Sequence, residues 1–189
     1  MMDVAARLGR APMHSRIKAM ETTPSQSMAT GAGLPSGQTS VASGEYLTLQ
    51  LGSEEYAIDI LRVQEIRSYE QPIQMVNSPS FIKGVINLRG VIVPIVDLRL
   101  KLSMPTAEYN DFTVVIILNI RGTVIGAVVD GVSDVVTLDA KVVRPAPQFE
   151  STIDVRFILG LANLGERMLI VMDMDALLSN AEMGIVAAK

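Results

Sequence analysis

No cysteine occurs anywhere in the 189 residues, which excludes disulfides, thiolate nucleophiles and thiolate metal sites together. Histidine occurs once, as His14, in an N-terminal stretch without apolar periodicity. A Ser-His-Asp arrangement or a histidine metal site therefore cannot be assembled within the folded part. Tryptophan is missing, and four Tyr and four Phe are the whole aromatic complement, so aliphatic side chains must fill the core. There is no Walker A pattern, and the lone Gly31-Ala-Gly33 has no strand before it. No apolar run approaches the roughly 18 residues that a spanning helix needs, and the first 21 residues lack the apolar stretch of a secretory signal. The cytoplasm is the expected location. No cofactor and no metal are expected.

What is present is a core-forming composition, 49% hydrophobic and 19% charged. Its apolar segments are rich in Val and Ile, whose branched Cβ suits a pleated surface better than a helix. Charge divides unevenly. Residues 1–44 hold four basic and two acidic residues, a balance of +2, whereas 45–189 hold twelve basic and eighteen acidic, a balance of −6. An acidic folded part with few aromatics is a poor binder of phosphate backbones. A small-barrel nucleic-acid binder is the alternative this argues against, since it would need a basic face with stacking aromatics.

Residues 1–44 read as a disordered tail. Thr, Ser, Gly, Pro, Ala and Gln dominate 22–44, and such a segment buries too little to offset its ordering entropy. Met20 and Met28 are alternative starts. From Tyr46 the pattern becomes that of strands. The runs 46–51 and 56–60 flank the turn Gly52-Ser53-Glu54-Glu55, and 112–120 and 123–129 flank Arg121-Gly122; both read as hairpins. Two further strands are expected at 91–96, where Pro94 points to an edge or a bulge, and at 168–172. One helix is expected near the C-terminus, capped by Asp173 or Asp175 and continuing through Leu177, Leu178, Ala181 and Glu182. Residues 184–189 are a short C-terminal tail.

An internal repeat organises the rest. Phe81, Ile82, Gly84, Asn87, Leu88 and Asp97 fall without a gap over Phe157, Ile158, Gly160, Asn163, Leu164 and Asp173, 76 positions later. Upstream, residues 57–66 lie more loosely over 126–135, 69 positions later, so that Val63, Glu65 and Ile66 meet Val132, Asp134 and Val135. Two copies of about seventy residues imply two similar small β subdomains that must pack on each other to bury enough surface. The first is expected mainly over 55–108 and the second mainly over 109–172, with terminal segments free to cross between them.

Repeat logic also sorts the residues. Gly84 and Gly160 recur, marking backbone positions that need either positive φ or close approach. Asn87 and Asn163 recur, and each is expected to close a turn through its side chain. Asp97 and Asp173 recur at strand ends, where accepting backbone N–H groups in a turn or cap is the expected role; a carboxylate-only hydrolase would instead need two acids converging in a pocket. Arg89 does not recur, because Gly165 stands in its place. It is either a residue with a task peculiar to the first copy or a surface ion-pair partner of Glu65 or Asp97. The segment 63–66 is either an ordinary amphipathic edge or, with apolar residues facing out, a docking strand.

Four motifs stand in order: 54–66 (EEYAIDILRVQEI), 81–99 (FIKGVINLRGVIVPIVDLR), 128–135 (VVDGVSDV) and 144–147 (RPAP). Over 45–183 they resemble the CheW family of chemotaxis coupling proteins. That resemblance implies a mainly β fold of two packed SH3-like barrels with a short C-terminal helix. It implies a non-enzymatic adaptor between the cytoplasmic tip of a methyl-accepting chemoreceptor and the regulatory domain of the histidine kinase CheA, held at the inner face of the membrane through receptor arrays. By position, Arg89 matches the family's signature arginine, and Ile60, Val63, Glu65, Val132 and Val135 match partner-contacting positions. Gly84, Asn87, Gly90, Gly126 and Gly160 are the expected structural turn positions. The N-terminal extension is longer than the resemblance predicts.

Overall fold

Short Val- and Ile-rich runs between Gly-containing turns become eleven strands in the computed structural model, which describes residues 41–104, 107–146 and 155–184. Strands β1 (Gly44–Leu51) and β2 (Glu54–Asp59) form the first hairpin, and a single 3-10 turn, Ile60–Arg62, leads to β3 (Val63–Ser68). A second hairpin, β4 (Ile82–Leu88) and β5 (Val91–Asp97), runs into the one-turn helix α1 (Leu98–Lys101). A third, β6 (Val114–Ile120) and β7 (Thr123–Val129), is separated by one residue from β8 (Gly131–Leu138). Then come β9 (Val143–Arg144), the hairpin β10 (Ile158–Leu164) and β11 (Arg167–Met172), and the one-turn helices α2 (Met174–Leu177) and α3 (Asn180–Met183). None of the described helices is long and apolar enough to cross a membrane.

Two sheets result. One runs β3-β6-β7-β5-β4 and the other β8-β1-β2-β11-β10-β9. The expected division into 55–108 and 109–172 is crossed by β6 and β7, which sit with β3–β5; the terminal strands β1 and β2 sit with β8–β11, a crossing the division left open. Local pattern marks strands but carries no address for their partners. The duplication nevertheless holds to the residue. Gly84 pairs with Ile95 and Gly160 with Val171, each after a register shift next to the preceding Ile. The parallel pairs Ile95–Gly126 and Val171–Ala57 stand at corresponding positions as well.

Alternation along the central strands feeds three cores. In β6, Val115 and Ile117 face a core made only from the five-stranded sheet, whereas Ile116, Leu118 and Ile120 face the large core between the sheets. In β2, Ala57 faces a core of the six-stranded sheet, while Tyr56 and Ile58 face the shared core. Strands buried on both faces read as continuous apolar runs, which is why 114–118 has no polar alternation. Each sheet therefore curls around its own small core and lays its back against the other.

Several expectations change in detail. Strand β5 is interior, between β4 and β7. Its Pro94 lies opposite Val85, whose N–H and C=O both bond outward to Ile73 at 2.9 and 3.0 Å, so no ladder donor toward β4 is required at Pro94. The C-terminal helix is two separate turns, capped by Asp173 and Ser179. In one continuous helix Met183 would lie about 140° around the axis from Leu178; the break lets Leu177, Leu178 and Met183 all enter the shared core. Order begins before residue 45: Val41 is buried in the core of the six-stranded sheet, and Ser43 Oγ accepts from Ala140 N at 2.9 Å. The remainder of the expected tail, 1–40, and residues 185–189 lie outside the described residues.

Candidate functional site

Turn chemistry places the first functional side chain. In the β4–β5 turn Arg89 and Gly90 have φ of +51° and +88°, a two-residue primed turn that matches strand twist. Asn87 Oδ1 accepts the Gly90 N–H at 2.7 Å and closes it. The same device recurs at Asn119, whose Oδ1 accepts Gly122 N at 2.8 Å, with Arg121 at φ +51°. The repeated Asn-x-Arg-Gly was readable in the sequence and signals this turn. An arginine at positive φ strains its backbone by about 1–2 kcal/mol relative to glycine there.

Arg89 reaches from that turn to β3, where Nη2 donates to Glu65 Oε2 at 2.6 Å. Strands β5 and β3 are three places apart in the sheet, about 14 Å if it were flat. Two side chains span that distance only because the sheet closes into a barrel. The Arg89 side chain is 79% exposed, and the buried Glu65 Oε1 has no hydrogen-bond partner among the described residues. Such an exposed pair adds about 0–1 kcal/mol of stability. What the arrangement provides is an oriented cation at the surface, with the apolar Val91 and Ile92 exposed directly after it.

The six-stranded sheet repeats the arrangement with altered spacing. Asp134, the counterpart of Glu65, lies on β8, three strands from β11, as β3 lies three from β5. It accepts from Arg167 Nη1 and Nη2 at 3.1 Å each. Arg167 also forks onto Glu55, with Nε and Nη2 both 2.9 Å from carboxylate oxygens. Hydrogen bonds from Arg167 hold the carboxyls of Glu55 and Asp134 below the usual carboxylate range. Across the bulge between β1 and β8, Thr48 Oγ1 donates to Asp134 O and accepts from Asp134 N, both at 3.0 Å. The first barrel therefore leaves its arginine free on most sides, and the second ties its arginine down.

The other expected contact positions divide by orientation. Ile60, Val63 and Val132 are half-buried against the shared core. Alternation along the edge strand β3 leaves Val63 and Glu65 half-buried and turns Ile66 outward, and Val135 is exposed on the edge strand β8. Leu61, which the sequence pattern did not single out, is 86% exposed in the turn before β3.

The glycines expected at turns are mostly not in turns. Gly84, Gly126 and Gly160 lie inside β4, β7 and β10, where close packing leaves no room for a side chain. A Cβ on Gly84, at φ +140°, would stand 2.1 Å from Ile73 O. One on Gly126 would meet Ile95 Cδ1 at 2.4 Å, and one on Gly160 would meet Arg144 O at 2.6 Å.

Asp97 and Asp173 cap α1 and α2, Asp97 Oδ1 accepting from Arg99 N at 3.0 Å and Asp173 Oδ1 from Ala176 N at 2.9 Å. Asp97 also binds the buried Arg99 guanidinium at 2.8 and 3.0 Å and accepts from the Tyr109 hydroxyl at 2.7 Å. Burial alone would raise this carboxyl; the bonds from Arg99 and Tyr109 outweigh it and hold the group below its usual range. Its acceptor capacity is committed to structure.

Comparison with known proteins fits this geometry. The CheW-like domain model matches residues 45–182. Over 142 residues the chain is 56% identical to the chemotaxis protein CheW of Klebsiella aerogenes, spanning 75% of this chain and 86% of that protein. It is 32% identical over 142 residues to CheW of Bacillus subtilis, spanning 73% and 89%. The crystal structure of the scaffolding protein TtCheW from Thermoanaerobacter tengcongensis aligns with a TM-score of 0.67 at 29% identity, covering 74% of this chain and 90% of that one. Two packed SH3-like barrels and a family match over most of the length agree: the chain belongs to the CheW family of chemotaxis scaffold proteins.

Proposed function

We propose that this scaffold couples methyl-accepting chemoreceptors to the histidine kinase CheA by binding the receptor's cytoplasmic tip and the kinase's regulatory domain together. It makes and breaks no covalent bond; signalling is a change of contacts. The observation that carries the reading is Arg89, held by one bond that it donates to Glu65, on a strained turn with most of its side chain facing solvent. A planar cation so presented suits docking to a partner's carboxylates, and arginine is a frequent anchor of interfaces. Partner contact is assigned to Glu65 and Arg89 with Val135. Ile60, Val63 and Val132 serve the same surfaces from beneath by setting the edge strands.

The location that follows is the cytoplasm, at the inner face of the membrane through receptor arrays. Individually weak faces, repeated across an array, combine avidity with reversibility. The test is a reconstitution with CheA and receptor fragments, comparing the unaltered chain with Arg89→Ala.

A further inference from the structure

The chain passes from one sheet to the other at two places, and an ion pair fastens each. Going from β2 to β3, Arg62 in the 3-10 turn pairs with Asp175, the second residue of α2. Going from β7 to β8, Asp130 pairs with Arg99, the second residue of α1. Arg99 and Asp175 stand 76 positions apart, the offset of the repeat. In the other offset, 69, Asp130 falls over Leu61, next to Arg62. The helix ends of the two fastenings are thus equivalent by the internal duplication, their crossing ends fall one position apart, and the charges are opposite: the crossing supplies a cation to one helix and an anion to the other.

They differ in depth. Arg99 and Asp130 side chains are 2% and 28% exposed, and Arg99 is held further by Asp97 and by Glu108 O at 2.5 Å. Asp130 also accepts Gly52 N at 2.7 Å, carrying the link into the β1–β2 turn of the other sheet. Arg62 and Asp175 side chains are 40% and 17% exposed, Asp175 Oδ1 is buried without a hydrogen-bond partner among the described residues, and a cleft lined by Tyr46, Asp59 and Leu159 opens beside them.

We infer that the two pairs are clasps that set one barrel against the other. The Arg99–Asp130 clasp is fixed and the Arg62–Asp175 clasp can yield. Arg62 and Asp175 are then positioning residues: they touch no partner, and they hold the edge strand β3 in register with the second barrel. This role rests on the two-partner reading above, because only a protein that binds two partners at once needs its faces held at one angle.

Hydrogen exchange on the full chain tests the clasp without any partner, reading the amides of Val63, Leu177 and Leu178, which bond to Ile60 O, Asp173 O and Met174 O. In Arg62→Asp these amides should exchange about five- to tenfold faster, and Ile116 and Ile125 should be unchanged. The double variant R62D/D175R should return all three to within about twofold of the unaltered chain. Unchanged exchange in the single variant, or no recovery in the double, overturns the clasp. A second arm measures assembly with CheA and a receptor fragment. R62D should bind each alone as the unaltered chain does, yet form the three-component complex about fivefold less well, with recovery in the double. Equal three-component assembly by all three proteins overturns the positioning role. An unaltered chain that binds neither partner overturns the adaptor reading instead, and the exchange result stands apart from it.

Discussion

Glu65 and Asp134 occupy the same place on equivalent edge strands, 69 positions apart, and each accepts an arginine from the hairpin that curls over to meet it. The arginine comes from the turn itself in the first barrel, at Arg89, and from two residues beyond the corresponding turn position in the second, at Arg167. The duplicated barrels have kept the charge pair and moved its cation. Arg89 is therefore special less by existing than by its freedom: it makes one bond to Glu65, where Arg167 makes four to two carboxylates.

That freedom separates stability from function at one residue. Arg89→Gly removes the side chain and relieves a positive φ, so its melting temperature should exceed that of Arg89→Ala by a few degrees, about 1 kcal/mol. Both variants should lose receptor-dependent kinase control to the same extent. Thermal denaturation read beside the kinase assay checks both halves.

Asp97→Asn should destabilise by about 3–5 kcal/mol, because it strips a buried guanidinium of its main partner. The native carboxyl titrates below its ordinary value of 3.8, so its contribution is complete above that pH and is lost as the pH falls through the lower native value. Urea unfolding at a series of pH values should show that acid-side loss in the unaltered chain and a flatter dependence below pH 3.8 in D97N.

Gly84→Ala should be worse than Gly126→Ala. A methyl at Gly84 meets the carbonyl of Ile73, a backbone atom that cannot turn aside, and the positive φ adds strain. About 3 kcal/mol or more is expected, along with loss of the Ile73–Val85 pairing. At Gly126 the obstacles are the tips of Ile95 and Val115, which can repack at about 1–3 kcal/mol. Chemical denaturation of the two variants decides the ranking.

Arg167→Met should raise the carboxyl pKa of both Glu55 and Asp134 toward ordinary values, because the hydrogen bonds that lower them come from one guanidinium. Carboxyl-detected NMR titration measures both shifts together.

Much of this was legible in the residues. Hairpins followed from polar turns between β-branched runs, and the repeat from ungapped matches such as Gly84 over Gly160 and Asp97 over Asp173, which also located the caps. What escaped the pattern depends on partners distant in sequence. Nothing local to β1 and β2 says that they pair with β8 and β11. Nothing in the alignment of Arg89 with Gly165 says that Arg167 restores the ion pair from the next strand. Burial alternates residue by residue along β3, with Val63 and Glu65 facing inward and Ile66 outward; the two-residue period sets Val63 and Ile66 on opposite faces without saying which of the two meets the core.

We propose that one exposed arginine on a two-barrel scaffold joins receptor control to the kinase. Reconstitution of CheA with receptor fragments and this chain measures it directly. The unaltered chain should recover both partners and confer receptor-dependent kinase control, and Arg89→Ala, folded and equally soluble, should weaken that control at least tenfold, about 1.4 kcal/mol of coupling. Kinase control by R89A equal to that of the unaltered chain, or an unaltered chain that leaves the kinase indifferent to the receptor, would contradict it.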